Sequence, residues 1–209
     1  MKISNNKLIA ESTSELVENT TTVNQGGTIE PRYIVLHFTA GRSAESSIAW
    51  FKNPTAKASA HLVIAKDGTI TQLVDFNRKA WHAGKSKWAN LNGFNELSIG
   101  IELDNPGKLS KVGDKYYSWF KKEYSKENIV EAIHKHDHTA SYWYEYTEEQ
   151  IEACLNVCKL LMENIISKTF WVTMILLHFA KTILDHYSQW KALELRYWVE
   201  RMMLPIYMK

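Results

Sequence analysis

The segment "YIVLHFTAG", residues 33–41, carries a histidine, a threonine and a glycine directly after a run of apolar residues. Tyr33 to Leu36 are aromatic, β-branched or leucine, have no helical period and follow Pro31 closely, so they predict a buried strand. His37 at the end of this strand has two interpretations. It is either a core histidine bonded to a backbone carbonyl or a metal ligand fixed at the strand end, and only the rest of the chain can distinguish them.

The composition is that of a globular protein, with 209 residues of which 45% are hydrophobic and 23% charged. This length is enough for one domain with a full core. A net charge of +2 gives no argument for nucleic acid or an anionic membrane, so neither is expected as a partner. The two cysteines, Cys154 and Cys158, share one helical face and form neither a disulfide framework nor a zinc knuckle.

No targeting or membrane-spanning segment is recognised. The N-terminal residues lack the continuous apolar region and the cleavage site of a secretory signal peptide. The longest apolar run, "FWVTMILLHFA" at 170–180, is shorter than the roughly 20 residues that cross a bilayer as a helix. We therefore expect a cytoplasmic protein or one released by lysis, as phage enzymes are. The oligomeric state cannot be read from the sequence.

Strands that alternate with helices predict an α/β fold, with a single domain built on a central, mainly mixed β-sheet flanked by helices. Composition divides the chain into a polar N-terminal arm at 1–28, the domain proper at 29–164 and an atypical tail at 165–209. The tail lacks glycine, and its apolar residues lie nearly all round, so we predict that it is helical but unlike the preceding domain.

Further elements of the domain are predicted from local signals. A helix starts at the N-cap Ser43 and ends before Pro54. A hairpin turns at Asp67-Gly68, and "LSIGIEL" at 97–103 is a second buried strand. A long amphipathic helix follows the N-cap Thr147, with Gln150 at the capping-box position.

Three histidines and one glutamate then stand out in these elements: His37, His61 in "SAHLVIAKDGTI", His82 in "AWHAG" and Glu102 in "SIGIELDN". His61 is best interpreted as a core or rim histidine, and His82 fits a surface loop as well as a site. Glu102 is harder to explain structurally, because a carboxylate inside an apolar strand is expensive to desolvate unless it is paired or near a metal. A histidine at one strand end and a glutamate in another strand suit a hydrolytic metal centre.

The order and spacing of these motifs closely resemble those of the type 2 N-acetylmuramoyl-L-alanine amidases, the zinc amidase fold shared with peptidoglycan recognition proteins. The resemblance is carried by residues 31–104 and extends over about 25–164. It implies cleavage of the amide that joins the lactyl group of N-acetylmuramic acid to L-alanine. The substrate would be intact peptidoglycan or an anhydro-muropeptide, and the sequence does not decide between them.

The resemblance also implies roles for individual residues. His37 would be the first zinc ligand, and Glu102 would be the general base that acts on the zinc-bound water. Trp81 and His82 belong to a "WHAG" loop that would border the substrate groove, with His82 facing the ligand. Asn95 resembles the asparagine that precedes the glutamate strand, and we place it with the substrate-binding residues.

The resemblance stops in the tail. The family takes a second histidine and an aspartate from a segment close to "GHDDIAPxRKxDPGP", expected around residues 172–186, where this chain has "VTMILLHFAKTILDH". Codons for residues 171–186, read one nucleotide earlier with suitable wobble bases, spell a Gly-His-Asp-Asp and an Asp-x-Gly-Pro segment. We therefore infer that the tail is a frameshifted translation. His178, Asp185 and His186 would share one helical face, but they are weak substitutes for the missing ligands.

Two interpretations of function follow. The first is a zinc-dependent muramoyl-alanine amidase. The second is a metal-free peptidoglycan-binding module, because a single imidazole cannot hold catalytic zinc. A chain that does not fold stably is a third possibility. The histidine-rich segment "HKHDH" at 134–138 suggests a second metal site, but its polar surroundings favour a solvated loop.

Overall fold

The central sheet is mixed, as the sequence predicts. The computed structural model describes residues 1–88, 90–133 and 139–166, together with the backbone of 174–176. Six strands form this sheet, in the spatial order β17 (Met174–Leu176), β5 (Tyr33–Phe38), β11 (Ser98–Leu103), β6 (Leu62–Ile64), β7 (Ile70–Gln72) and β3 (Val17–Asn19). The first four run parallel, and β7 runs antiparallel to β6.

Two helices cover the two faces of the sheet. Helix α1 (Ala44–Lys52) begins at Ser43, whose side chain caps Ser46 in a capping box. Helix α2 (Glu148–Asn164) begins at Thr147, whose hydroxyl accepts the N–H of Gln150. Both predicted N-caps are therefore confirmed. The amide of Gln150, however, donates to the carbonyls of Ile64 and Asp104 in the sheet, which ties the first turn of α2 to two strand ends.

Alternate residues of the strands build the two sides of the core. Residues of β5, β6 and β11 that face α2 pack with its apolar stripe in one cluster that includes Leu36, Ile64, Ile101 and Leu161. The opposite side chain of β6, Val63, packs in a second cluster with Phe51 of α1. Since strands alternate their side chains between faces, His37 of β5 and Glu102 of β11 lie on the face that does not pack against α2.

The predicted hairpin is confirmed as β6 and β7, which pair antiparallel. Gly68 has φ +84°, the left-handed conformation that the turn after Asp67 requires. A Cβ at Gly68 would also lie 3.0 Å from the carbonyl oxygen of Glu149, so the glycine lets the hairpin turn approach the start of α2.

The N-terminal residues pack onto the domain, although their polar composition predicts an arm. β1 (Lys2–Ser4) pairs with β2 (Lys7–Ile9), and β4 (Gln25–Thr28) pairs with β8 (Arg78–Ala80). Leu8 is fully buried in the core, and its N–H donates to the side chain of Gln72. One buried leucine is a weak sequence signal, which explains the difference. The domain boundaries themselves stay a prediction.

A second, antiparallel sheet follows β11. Its five strands lie in the order β14 (Glu123–Tyr124), β13 (Lys115–Tyr117), β12 (Lys108–Val112), β16 (Ala140–Tyr144) and β15 (Ile129–Ile133). The polar stretch around "HKHDH" is therefore flanked by paired strands. Residues 134–138 themselves lie outside the described residues, so the loop prediction stays untested. A short pair, β9 (Lys87–Trp88) and β10 (Leu91–Asn92), completes the strands.

Beyond Ile166, the tail is described at one segment, and there it departs from the predicted helix. Residues Met174–Leu176 form a strand that pairs parallel with Ile34–Leu36 of β5, because the edge of β5 offers backbone groups to a neighbouring strand. The rest of the predicted helix, with His178, Asp185 and His186, lies outside the described residues. Among the described residues, no helix is long and apolar enough to cross a membrane.

Candidate active site

His37 and Glu102 lie side by side at the carboxyl ends of two adjacent parallel strands. They are register partners in the pairing of β5 with β11, so their side chains leave the sheet on the same face. The carboxyl edge of parallel strands is where open α/β sheets bind their ligands. The two residues that the sequence singles out most strongly therefore meet at the expected edge.

Glu102 is a buried carboxylate without a hydrogen-bond partner on one oxygen. Its exposure is 9%, and its Oε2 has no partner among the described residues. Desolvation raises the pKa of Glu102 from its ordinary 4.5 to about 8. A carboxyl group with a pKa near neutrality can both accept and return a proton, which suits a general acid–base residue.

A chain of hydrogen bonds starts at His37. Its Nε2 lies 2.9 Å from Nδ1 of His82, and Nε2 of His82 lies 3.4 Å from Oγ of Ser98. The hydroxyl of Ser98 donates to the carbonyl of Phe94 at 2.5 Å. Since a carbonyl only accepts, Ser98 accepts from His82, and His82 in turn accepts from His37.

This order of donors fixes the tautomers of both histidines. His37 carries its proton on Nε2, so the lone pair on Nδ1 points away from His82 and can bind a metal or a polar ligand group. Burial lowers the pKa of His37 to about 4, so the ring is neutral at physiological pH. Burial also lowers the pKa of His82 well below its ordinary value. His82, predicted to face the ligand, thus contacts His37.

Gly100 makes room for the ring of His82. A Cβ at this position would lie 2.3 Å from Cγ of the imidazole, a distance that no side chain could tolerate. The glycine in "SIGIEL" therefore allows the ring to pack directly on the backbone of β11. Ser98, Gly100 and Glu102 occupy alternate positions of one strand and share one face, so the period of two could have identified the first two as site residues.

His61 agrees with its interpretation as a core histidine. It is fully buried, its Nδ1 accepts the N–H of Gly100 at 3.0 Å, and its Nε2 donates to the carbonyl of Arg78 at 2.9 Å. Both ring nitrogens are therefore occupied by backbone groups. The ring centroid lies 5.9 Å from that of His82, so His61 packs behind the site and cannot bind a metal in this geometry.

The loop with Trp81 and His82 is fixed by two side chains. Oδ1 of Asn95 accepts the N–H groups of His82 at 3.0 Å and of Ala83 at 2.7 Å. The N–H of Trp81 donates to Oγ of Ser59 at 2.9 Å, and Ser59 is fully buried. Asn95, predicted as a substrate-binding residue, thus contacts the loop backbone. Ser59 was not identified from the sequence, because its partner is 22 residues away.

The described residues do not complete a zinc site. No group of three histidine, cysteine, aspartate or glutamate side chains in the described part of the chain is arranged to hold a metal ion. His37 is the one residue of the family's expected ligand set that lies within it. The segment expected to supply the other two ligands, 172–186, is described only as backbone at Met174–Leu176.

Curated relatives match parts of the chain. The 1,6-anhydro-N-acetylmuramyl-L-alanine amidase AmpD of Escherichia coli (strain K12) is 42% identical over 60 residues, 29% of this chain and 33% of that protein. N-acetylmuramoyl-L-alanine amidase A of Achromobacter lyticus is 40% identical over 82 residues, 39% of this chain and 40% of the relative. The matched segments thus span between a third and two fifths of these relatives.

Two solved structures share the fold. The crystal structure of a selenomethionine derivative of AmpD superposes with a TM-score of 0.53 at 18% identity, covering 93% of this chain and 98% of that one. The complex of AmiD from E. coli with anhydro-N-acetylmuramic acid-L-Ala-D-γ-Glu-L-Lys gives 0.50 at 21% identity, with 82% and 59% covered. At these identities the likeness concerns the fold alone, and it agrees with the predicted mixed sheet and helices.

The strongest comparison is with a family as a whole. The sequence profile described as N-acetylmuramoyl-L-alanine amidase matches residues 27–192, which include both strands of the site and the loop at Trp81. The match extends over well more than half of the chain, and it agrees with the fold and with the carboxylate and imidazole at the sheet edge. The chain therefore belongs to the N-acetylmuramoyl-L-alanine amidase family.

Proposed function

We propose that this protein hydrolyses the amide bond between N-acetylmuramic acid and L-alanine in peptidoglycan or in muropeptides. The observation that carries the proposal is the buried carboxyl group of Glu102 beside His37 at the carboxyl edge of the sheet, whose Oε2 has no hydrogen-bond partner among the residues that the structure describes. Membership of the amidase family supports the bond class. The names of the AmpD relatives point to 1,6-anhydro-muropeptides, whereas that of the Achromobacter relative names no anhydro sugar, so both substrate types are proposed.

Glu102 would supply the proton transfers of the reaction. A water molecule attacks the amide carbon, and the carboxylate takes a proton from it. The carbon–nitrogen bond then breaks, and the same carboxyl group returns the proton to the leaving amine of L-alanine. The products are the lactyl carboxylate of the sugar and a free stem peptide. A pKa near 8 keeps both protonation states of Glu102 accessible at neutral pH.

The other site residues would hold the reacting groups and the substrate in place. His82 holds the ring of His37 in one tautomer, and Asn95 holds the loop that carries His82. We propose that Trp81 and His82 border the substrate groove, with His37 as one zinc ligand. Zinc, when bound, would polarise the scissile carbonyl and acidify the attacking water. Its remaining ligands are expected from the frame-restored segment, because the described residues supply only His37.

Peptide release tests this proposal. Purified sacculi and a 1,6-anhydro-muramyl peptide are incubated with the chain, with added zinc or with a chelator, and the released stem peptides are quantified. Glu102→Gln should reduce release by at least about 100-fold, the usual contribution of a general base. Glu131→Gln is the matched control, because Glu131 is an exposed carboxylate on a strand of the second sheet. Full release by the Glu102→Gln variant would contradict the proposed mechanism.

The alternative function is a metal-free peptidoglycan-binding module. It is favoured by one observation, the presence of a single expected ligand among the described residues. Metal analysis of the purified chain separates the two proposals. Binding of sacculi without zinc and without peptide release would support the module, whereas one tightly bound zinc per chain would argue against it.

A further inference from the structure

Trp119 is a large aromatic side chain held in an exposed position. Its exposure is 69%, and it lies in the turn that joins β13 to β14. The turn is closed by the N–H of Ser118 bonding to the carbonyl of Lys122 at 2.9 Å, and Lys121 adopts φ +67°. A turn with one residue in the left-handed conformation is a rigid way to present the residues at its tip.

The indole ring is fixed at one edge. Its Nε1 donates to the carbonyl oxygen of Ala40 at 2.7 Å. The ring also packs perpendicular to Phe120, with centroids 5.4 Å apart, and Phe120 is buried in the core of the second sheet. An exposed aromatic ring with its rotamer already fixed loses little conformational entropy when a ligand covers it. Trp119 is therefore a preorganised apolar surface.

This surface lies next to the site. Ala40 is three residues beyond His37, and three residues span at most about 11 Å. The loop between them is itself held in place, because Oγ1 of Thr39 accepts the N–H groups of Gly41 at 3.2 Å and of Asn105 at 3.3 Å. The hydrogen bond from Trp119 to Ala40 thus places the indole beside the loop that follows β5, at the carboxyl edge that carries His37 and Glu102.

We infer that Trp119 forms a sugar subsite, on which an N-acetylhexosamine next to the peptide-bearing muramic acid stacks its ring. The inference rests on the proposed function. A pyranose presents a flat face of C–H groups, which matches the apolar face of an indole whose N–H is already bonded. The stem peptide offers mostly methyl, carboxyl and ammonium groups, which have no flat apolar face of this size. The subsite would select glycan-linked substrates over single muramyl peptides.

Two probes test the inference by isothermal titration calorimetry. The first is muramyl dipeptide, and the second is a trisaccharide with N-acetylglucosamine on each side of the dipeptide-bearing muramic acid. Both are titrated into the full chain carrying Glu102→Gln, which prevents turnover. The trisaccharide should bind about 2- to 12-fold more tightly, the gain expected from one aromatic stack.

Variants of Trp119 test whether the tighter binding of the trisaccharide comes from this residue. Trp119→Ala should abolish it and leave the affinity for muramyl dipeptide unchanged, while Trp119→Phe should retain part of it. Trp50→Ala is the matched control, because Trp50 is also exposed, at 54%, but lies on α1. Circular dichroism and thermal melting verify that each variant is folded.

The outcomes separate the inference from the proposed function. If both probes bind equally, or the gain survives Trp119→Ala in a folded variant, the sugar subsite is wrong and the proposed amidase site stands. If neither probe binds the chain, the proposed function fails and the subsite fails with it.

Discussion

Glu102 and His37 are register partners on adjacent parallel strands, and their side chains leave the sheet on the same face. Within the described part of the chain, Oε2 of Glu102 has no hydrogen-bond partner, and the Nε2 proton of His37 is donated to His82. Each group therefore keeps one polar atom, Oε2 of Glu102 and Nδ1 of His37, without a hydrogen bond inside the described part of the chain. Burial of a carboxyl group without a full set of partners lowers the stability of the fold, and the same group is free to transfer a proton.

Replacement of Glu102 by glutamine should change how stability depends on pH. Burial raises the pKa of Glu102 from 4.5 to about 8, so between these values the folded chain binds more protons than the unfolded chain. The free energy of unfolding should therefore fall as pH rises through this window. Glu102→Gln removes this dependence, so its stability relative to the parent chain should increase by a few kcal/mol from pH 5 to pH 8.

Urea denaturation of both chains in the presence of a chelator measures this difference. The buried histidines titrate equally in the two chains, so their contribution cancels in the comparison. A constant difference across this range of pH would show that Glu102 is not a desolvated carboxyl group.

Gly100→Ala should displace His82. The added Cβ would lie 2.3 Å from the imidazole ring, so the ring must leave its place between His37 and Ser98. We expect a loss of about 1–3 kcal/mol in stability, as for overpacked cores, and a large loss of peptide release. Gly27→Ala is the control, because nothing lies within 4 Å of a Cβ at that position. Equal thermal stability of the two variants would refute the packing role of Gly100.

Asn95→Ala should loosen the loop that carries Trp81 and His82. It removes the acceptor of two backbone N–H groups, at 3.0 and 2.7 Å, and should lower stability by about 1–3 kcal/mol. Asn95→Asp keeps both acceptors and should retain most of the stability and activity. Thermal melting together with peptide release distinguishes this anchoring role from direct substrate binding, in which case both variants would lose affinity without losing stability.

DNA sequencing should find a one-nucleotide insertion or deletion near the codons for residues 164–171. The restored frame should encode a Gly-His-Asp-Asp and an Asp-x-Gly-Pro segment, which would complete three ligands and leave one open position. The restored protein should bind one zinc, melt at a higher temperature with zinc than without it, and release stem peptides far faster than the present chain. A gene without this alternative frame, or a restored protein without zinc, would end the frameshift hypothesis.

Local signals predicted most of the elements around the site. Runs of apolar residues predicted the strands that carry His37 and Glu102. Residue types that favour helix caps and tight turns predicted Ser43, Thr147 and the turn at Gly68. These features depend on neighbours along the chain, so the sequence alone reveals them.

Contacts between distant residues were harder to predict. The hydrogen bond from His37 to His82 joins residues that are 45 positions apart, and no local pattern encodes it. The second sheet was missed for a related reason: its strands are short and each buries a single residue, as β12 buries only Leu109. Strand pairing there depends on register between segments, which periodicity does not specify.

The strand at Met174–Leu176 shows that the sheet and the metal site place different demands on the sequence. It joins β5 through backbone N–H and C=O groups, which every residue except proline provides, so many apolar sequences can occupy this edge. Metal ligands, by contrast, require particular side chains. A change of reading frame near this segment could therefore keep a strand that pairs with β5 while it replaces the side chains that would bind a metal. At this edge of the sheet, strand pairing does not depend on the side chains that metal binding would require.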